Sequence, residues 1–326
     1  MDYQLTQRPQ FMSEHITLDS PSQPAAHDTR HNYTAYGLSI SSDLALPDLE
    51  VQRQPNEPDI VIRQQAISHP LPPDSAEPGC YESTDDEAFV HYDEVGQLHI
   101  RHGREILLDP NPDGTRRLQR HIVQGMAMGI LLHQRGHLTL HASGVAIQNH
   151  VAGFIGWKRM GKSTTAAALY ASGHRLLTDD TIVIDNTRGS TTVLPGFPQI
   201  RLDPEAAVAG LGLDPDDMPR VHPDFEKRLG RADADFSLKP LPLGAIFSLN
   251  WGEEFEVEQM SQRDALVELI RHSYAQRFLG NAGATPQHLE QVQFLAQNIP
   301  VYELTKPREL ERLPELVELI RNHMPA

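Results

Sequence analysis

The chain has 326 residues, and 44 acidic against 28 basic side chains give it a formal net charge of −16 at pH 7. That length can bury a large core and favours two domains. The acidic balance speaks against a general nucleic-acid or anionic-membrane surface, while leaving room for a small cationic pocket.

The single cysteine, Cys80, excludes an intrachain disulfide and a thiolate metal cluster. No run approaches 18 apolar residues, and the first seven residues lack a basic stretch followed by an apolar one. The expectation is a cytoplasmic chain without a membrane span. Residues 1–30 are polar and read as a flexible lead-in. Residues 31–116 read as a small β-rich domain, with strands over 35–40, 58–63 and 105–109 and a hairpin of 87–92 with 96–101. The stretch 70–80 reads as a loop. Residues 117–326 read as a second domain that begins with a connecting helix over 117–134, where Ile122, Val123, Met126, Ile130 and Leu131 recur at helical spacing. A strand pair over 137–142 and 144–147 follows it, and then an apolar strand at 151–155.

Gly156, Trp157, Lys158, Arg159, Met160, Gly161, Lys162 and Ser163 come next and fit the phosphate-binding pattern Gly-x4-Gly-Lys-Ser/Thr. Thr164 to Ala171 are rich in helix formers, so the pattern lies between a strand and a helix. In such a loop, backbone N–H groups and the first helical turn cradle anionic oxygens. Lys162 can reach the β and γ phosphates of a nucleotide, and the Ser163 hydroxyl can join a Mg²⁺ shell. Beyond the loop, short strands are expected over 181–184, 191–194, 199–202, 241–249 and 301–304, with loops and short helices over 203–240. Helices are expected over 263–279, 288–297 and 308–323. Many strands with few long helices predict a mixed sheet rather than a regular alternation.

Asp179 and Asp180 lie 17 and 18 residues after Lys162, where a helix and a return can bring them beside the loop. A nucleotide-bound Mg²⁺ takes carboxylate oxygens, and an attacking hydroxyl needs a base, so two adjacent acids can divide these tasks. His141 at a strand end can tune such an acid, or can be a satisfied core histidine. His121, His133, His137 and His141 form a regular series but cross a helix–strand boundary, which weakens a zinc reading. Arg201 and Arg271 are candidate anion contacts, and His222 and Lys227 weaker ones.

His141 to Gly144, the loop through Ser163, and Gly173 to Asp180 resemble the HPr kinase/phosphorylase family. The closer likeness is to HPr-kinase-like proteins with a β-rich front segment, which Tyr36, Gly37, Leu38 and the Leu46-Pro47 region resemble. The resemblance implies an α/β, mixed-sheet nucleotide-binding core and ATP- and Mg²⁺-dependent transfer to a serine or small-molecule hydroxyl. It implies phosphate and metal contacts from Lys162 and Ser163, a base at Asp179, a metal-side acid at Asp180, and assistance from His141. The acceptor stays open between a protein, a peptide such as a lasso precursor, and a small molecule, and homo-oligomers are compatible with the family. A nucleotide-sensing or peptide-binding module without transfer, and a phosphatase or phosphorylase of a phosphorylated partner, are the alternatives. The family's usual loop resembles Gly-x-Ser-Gly-x-Gly-Lys-Ser, whereas here Arg159 stands at the internal glycine, with a Cβ that restricts the backbone.

Overall fold

The computed structural model describes residues 30–53, 57–71, 79–186, 191–220, 226–232, 236–274 and 285–325. The expected lead-in, apart from Arg30, lies outside them, as do His222 and the end of the helix expected over 263–279. Within them the chain is mixed α/β, built on two large mixed sheets.

The front sheet holds β1 (His31–Ala35), β2 (Leu38–Ser42), β3 (Glu50–Val51), β4 (Ile60–Gln64), β5 (Gly79–Ser83), β6 (Glu87–Tyr92), β7 (Gly96–Arg101) and β8 (Glu105–Pro110). Its order is β3-β1-β2-β4-β8-β7-β6-β5, parallel only where β4 meets β2 and β8. The hairpin of β6 and β7 forms as expected. The single strand expected over 35–40 is instead a hairpin, because Tyr36 and Gly37 both take positive φ, 56° and 72°, and turn the chain in two residues. The loop expected through residue 80 gives way to β5 from Gly79 onward.

The connecting helix is continuous but not uniform. α1 (Arg116–Ile122) is capped by the Thr115 hydroxyl, a π turn covers Val123–Ala127, and α2 (Met128–Gln134) completes it. Leu118, Val123, Met126 and Leu131 share one buried core with Ile40, Ile62, Leu98 and Ile106 of the front sheet. The helix therefore packs on the sheet that precedes it in the chain.

The second sheet is built from β9 (Leu138–Leu140), β10 (Ser143–Ile147), β11 (His150–Ile155), β12 (Arg175–Thr178), β13 (Ile182–Asp185) and β14 (Thr192–Leu194), with α3 (Lys162–Ala171) between β11 and β12. After β14 come β15 (Gln199–Leu202), α4 (Pro204–Ala206), β16 (Arg228–Arg231), β17 (Leu241–Trp251), β18 (Glu256–Gln259), α5 (Gln262–Arg271), α6 (Pro286–Asn298), β19 (Val301–Lys306) and α7 (Leu313–Asn322). The sheet order is β12-β10-β11-β17-β14-β13-β9, with β19 on β17 and β18 on β19, while β15 and β16 form a separate ribbon.

The strands expected to pair over 137–142 and 144–147 do not pair. β9 bonds to β13, and β10 bonds to β11 and β12. Only His141 and Ala142 separate them, and neither has the positive φ of a tight hairpin. The chain instead crosses from one part of the sheet to another, anchored where the His141 N–H donates to the His272 carbonyl at 2.8 Å. Pro314 does not break the last helix because it sits in its first turn. The parallel contacts of β11 with β17 and of β17 with β19 bring the ends of these strands to one edge, where the loop before α3 begins.

Candidate active site

The loop between β11 and α3 makes its bend with three residues of positive φ: Gly156 at 146°, Arg159 at 71° and Gly161 at 84°. Gly161 is the N-cap of α3, so the helix opens at Lys162. Arg159 thus carries a side chain at a left-handed backbone position, at a steric cost of about 1 kcal/mol. The Lys162 ammonium is buried and donates to the carbonyls of Gly156 at 2.8 Å and Trp157 at 3.4 Å. Met160 packs on the apolar core beneath, and Trp157 is 59 % exposed with its ring edge-on to His272.

The two acids sit at the end of β12 and have different surroundings. Asp179 is buried. Its Oδ1 accepts from the hydroxyls of Ser143 at 2.6 Å and Ser163 at 3.1 Å, and its Oδ2 accepts from the Arg201 backbone N–H at 2.9 Å. Asp180 takes φ 80°, which swings its side chain away from that of Asp179. Its Oδ2 meets Arg201 Nη1 at 2.9 Å and its Oδ1 lies 3.3 Å from His141 Nδ1, which is also 3.1 Å from the Asp180 carbonyl. Burial pushes the Asp180 carboxyl up, but Arg201, His141, His121 and Lys227 outweigh it and hold the group well below the usual carboxylate range. Arg201 is fixed in turn by Gln199, whose Oε1 accepts from its Nε at 3.2 Å. The sequence expectation set His141 beside the acid pair without choosing between its members; here its ring lies against Asp180.

Behind Asp180 lies a buried layer. Tyr274 shares a 2.7 Å hydrogen bond with the Thr181 hydroxyl and donates to the Asp180 carbonyl at 3.3 Å. Its ring fits against Gly129, where a Cβ would come within 2.5 Å of it. Gly125, on the π turn, lies beside Asp180, where a Cβ would make an ordinary contact of 3.8 Å with Oδ2. Tyr36 reaches the same layer from the β1–β2 turn, with its N–H on the Pro195 carbonyl at 2.7 Å. Burial and the Asp180 charge together push the Tyr36 hydroxyl pKa up.

Loop and acids line one cavity of about 740 Å³. Eight Lys and Arg side chains line it against six Asp and Glu, a local excess of positive charge in a strongly acidic chain. Lys158, Arg159, Gly161, Lys162, Ser163 and Thr164 of the loop line it, together with His121, His141, Arg201 and Lys227. Arg271 does not; it lies 57 % exposed beside Glu268.

Lys306 is the member that sequence reasoning missed. It ends β19, is 3 % exposed, and lies with its ammonium 3.7 Å from the centre of the Trp251 ring. A Cβ at Gly161 would stand 2.9 Å from its Nζ. Burial pulls its pKa down to about 8. The only hint in the sequence is the pair Lys306 and Arg308 around Pro307 just after an apolar strand. Ser143 was missed as well, although it lies within the quoted His141-to-Gly144 stretch.

A Mg²⁺ accompanying a nucleotide takes one or two carboxylates and fills the rest of its shell from phosphate and water. The Ser163 hydroxyl and the Asp179 carboxylate, both hard oxygen donors beside the loop, fit that requirement. Among the described residues no group of three or more His, Cys, Asp and Glu is placed to hold an ion by itself. No described helix is long and apolar enough to cross a membrane.

No protein-family model matches the chain. No curated protein matches it either. Among solved structures, the Hpr(Ser) kinase/phosphatase from Coxiella burnetii aligns with 57 % of this chain and 95 % of its own length, at 16 % identity and a TM-score of 0.31. A likeness of that depth transfers no residue role to this chain.

Proposed function

We propose that this chain is a Mg²⁺-dependent phosphotransferase that moves the terminal phosphoryl group of a nucleoside triphosphate, ATP in the first instance, to a hydroxyl acceptor. The observation that carries this reading is the hydrogen bond between Ser163, at the mouth of a phosphate-type loop, and Asp179, at the end of a neighbouring segment of the same sheet. A loop that only turned the chain would need no carboxylate on its helix-opening hydroxyl.

The surroundings of the acids favour a division of labour opposite to the sequence expectation. Asp179, bound to Ser163, belongs on the metal side. Asp180 is the more open of the two, with its side chain 29 % exposed, and belongs on the acceptor side. A divalent cation between Ser163 and Asp179 would offset charge on the β and γ phosphates. Lys162 and the loop N–H groups bind the donor phosphates. Asp180 accepts the hydrogen bond of the incoming hydroxyl and so orients its oxygen toward the γ phosphorus. One oxygen–phosphorus bond forms, the bond from the γ phosphorus to the β,γ-bridging oxygen breaks, the diphosphate leaves, and the hydroxyl proton departs along the hydrogen bond to Asp180 and on to solvent, since the surrounding cations keep that carboxylate ionised. Arg201 and His141 hold that carboxylate in place.

Asp179→Asn and Asp180→Asn separate the two roles. With γ-labelled ATP and a lysate-derived acceptor fraction, Asp180→Asn should lose transfer by about 10²-fold or more while keeping nucleotide affinity. Asp179→Asn should shift the Mg²⁺ dependence to higher concentration. Nucleotide binding that is absent in the presence of Mg²⁺ would overturn the reading. Binding with no transfer to any acceptor would leave the nucleotide-sensing alternative.

A further inference from the structure

A second, smaller pocket of about 70 Å³ opens beside the acids, between the connecting helix, the β15–β16 ribbon and the Pro47–Asp48 turn. His121 and Arg201 line both it and the main cavity, so the two adjoin. Its walls are rich in donors. Arg117 and Arg120 project from α1, and Gln124 from the π turn. Asp48 is the one acid on the wall, and its charge acts on the Arg201 guanidinium, leaving Arg117, Arg120 and Gln124 to face an incoming anion.

Two of these donors are buried without a partner among the described residues: Arg120 Nε and Gln124 Nε2. Gln124 is 3 % exposed. A buried donor left unmet is costly, so such groups ordinarily have a partner. The Arg117 guanidinium is held by the Arg220 carbonyl at 2.8 Å. The volume is about that of two waters in the liquid, enough for an anionic headgroup and too small for a whole metabolite.

We propose that this side pocket takes a carboxylate or phosphate group of the acceptor, with the hydroxyl to be phosphorylated extending past Arg201 to Asp180. The acceptor class is therefore a small hydroxyl compound bearing an anionic group a few bonds from the hydroxyl. Planar guanidinium donors suit either anion. This rests on the transfer reading of the main cavity, and the test separates the two.

Full-length protein with Mg²⁺ and ATP is given glycerol, glycerate or glycerol 3-phosphate, and release of ADP is followed. Glycerate or glycerol 3-phosphate should be used with a KM at least about tenfold below that of glycerol, the loss expected for one charged hydrogen bond. Whichever of the two is preferred identifies the anion. In Arg120→Gln and Gln124→Leu that KM should rise about tenfold, with nucleotide affinity and the thermal midpoint reporting on the fold. Equal use of glycerol, or a preference that survives both variants, overturns the proposal. Direct binding of glycerate and glycerol 3-phosphate is measured in Lys162→Ala protein, which weakens competition from the phosphate loop. Anion binding lost in Arg120→Gln, with no ADP released by any probe, upholds the pocket and removes the transfer reading. Nucleotide binding without binding or turnover of either anion removes the pocket.

Discussion

Lys306 makes the pH dependence of nucleotide binding a sharp test of the site. An exposed lysine stays charged throughout pH 7–9, whereas burial beside the loop brings Lys306 down to about 8. In the free protein roughly nine in ten copies carry the charge at pH 7 and roughly one in ten at pH 9. If the bound phosphate requires the ammonium, each complex formed at pH 9 must first take up a proton. The nucleotide Kd then rises about tenfold between pH 7 and pH 9. The sign follows from the direction of the shift: the binding-competent form is the protonated one, and it is lost as pH rises through the lowered pKa. Lys306→Met keeps the length and the contact with Trp251 but carries no charge. It should weaken binding at pH 7 by roughly ten- to a hundredfold, the worth of one charged hydrogen bond, and should bind with the same affinity at both pH values. Fluorescent-nucleotide titrations at saturating Mg²⁺ and fixed ionic strength measure both quantities, and circular dichroism reports on the fold. A Lys306→Met protein that retains the wild-type slope would refute the reasoning, as would a wild-type affinity that is flat across the range.

Gly161→Ala should cost at least as much nucleotide affinity as Lys306→Met, because alanine is strained at φ 84° and its Cβ would meet Lys306 Nζ at 2.9 Å; the same titration reads it. Gly129→Ala should destabilise the protein by about 1–3 kcal/mol, since its Cβ would press into the Tyr274 ring at 2.5 Å, and a thermal melt would show the midpoint fall by several degrees.

Local signals in the sequence mark the loop and the acids because those features are contiguous. Gly156 to Ser163 form one turn and one helix start, and Asp179 and Asp180 are neighbours in the chain. The hairpin of β6 and β7 was legible for the same reason, since alternating side chains and a tight turn are short-range features. Pairing over distance was not. β9 and β10 look like a hairpin in sequence, and only the sheet order shows each bonded elsewhere. Lys306 illustrates the same limit. It stands 144 positions after Lys162, and nothing near it in the chain announces that β19 lies parallel to β17, with Gly161 at its end. The surroundings of the two acids also depended on long-range placement. Whether a carboxylate faces Ser163 or Arg201 turns on the backbone of Asp180, whose φ of 80° no neighbouring residue predicts.

The front sheet contributes to the site rather than standing apart from it. Its β1–β2 turn places Tyr36, 2 % exposed, in the layer behind Asp180, where burial and the carboxylate both keep the phenol protonated. Its core also holds the helix that carries Gly125, Gly129 and Gln124. A π turn widens that helix at the wall facing Asp180, and such turns often occur at functional sites. The helix can come this close to Tyr274 only because it presents Gly129 there, where a Cβ would fall 2.5 Å from the ring. The loop before α3 and the end of β19 line one side of the main cavity, and the connecting helix, itself packed on the front sheet, lines another, with Asp180 between them. If the proposed transfer holds, a change of acceptor would call for new side chains on α1 and the π turn rather than in the loop, and swapping those side chains while following nucleotide affinity tests it.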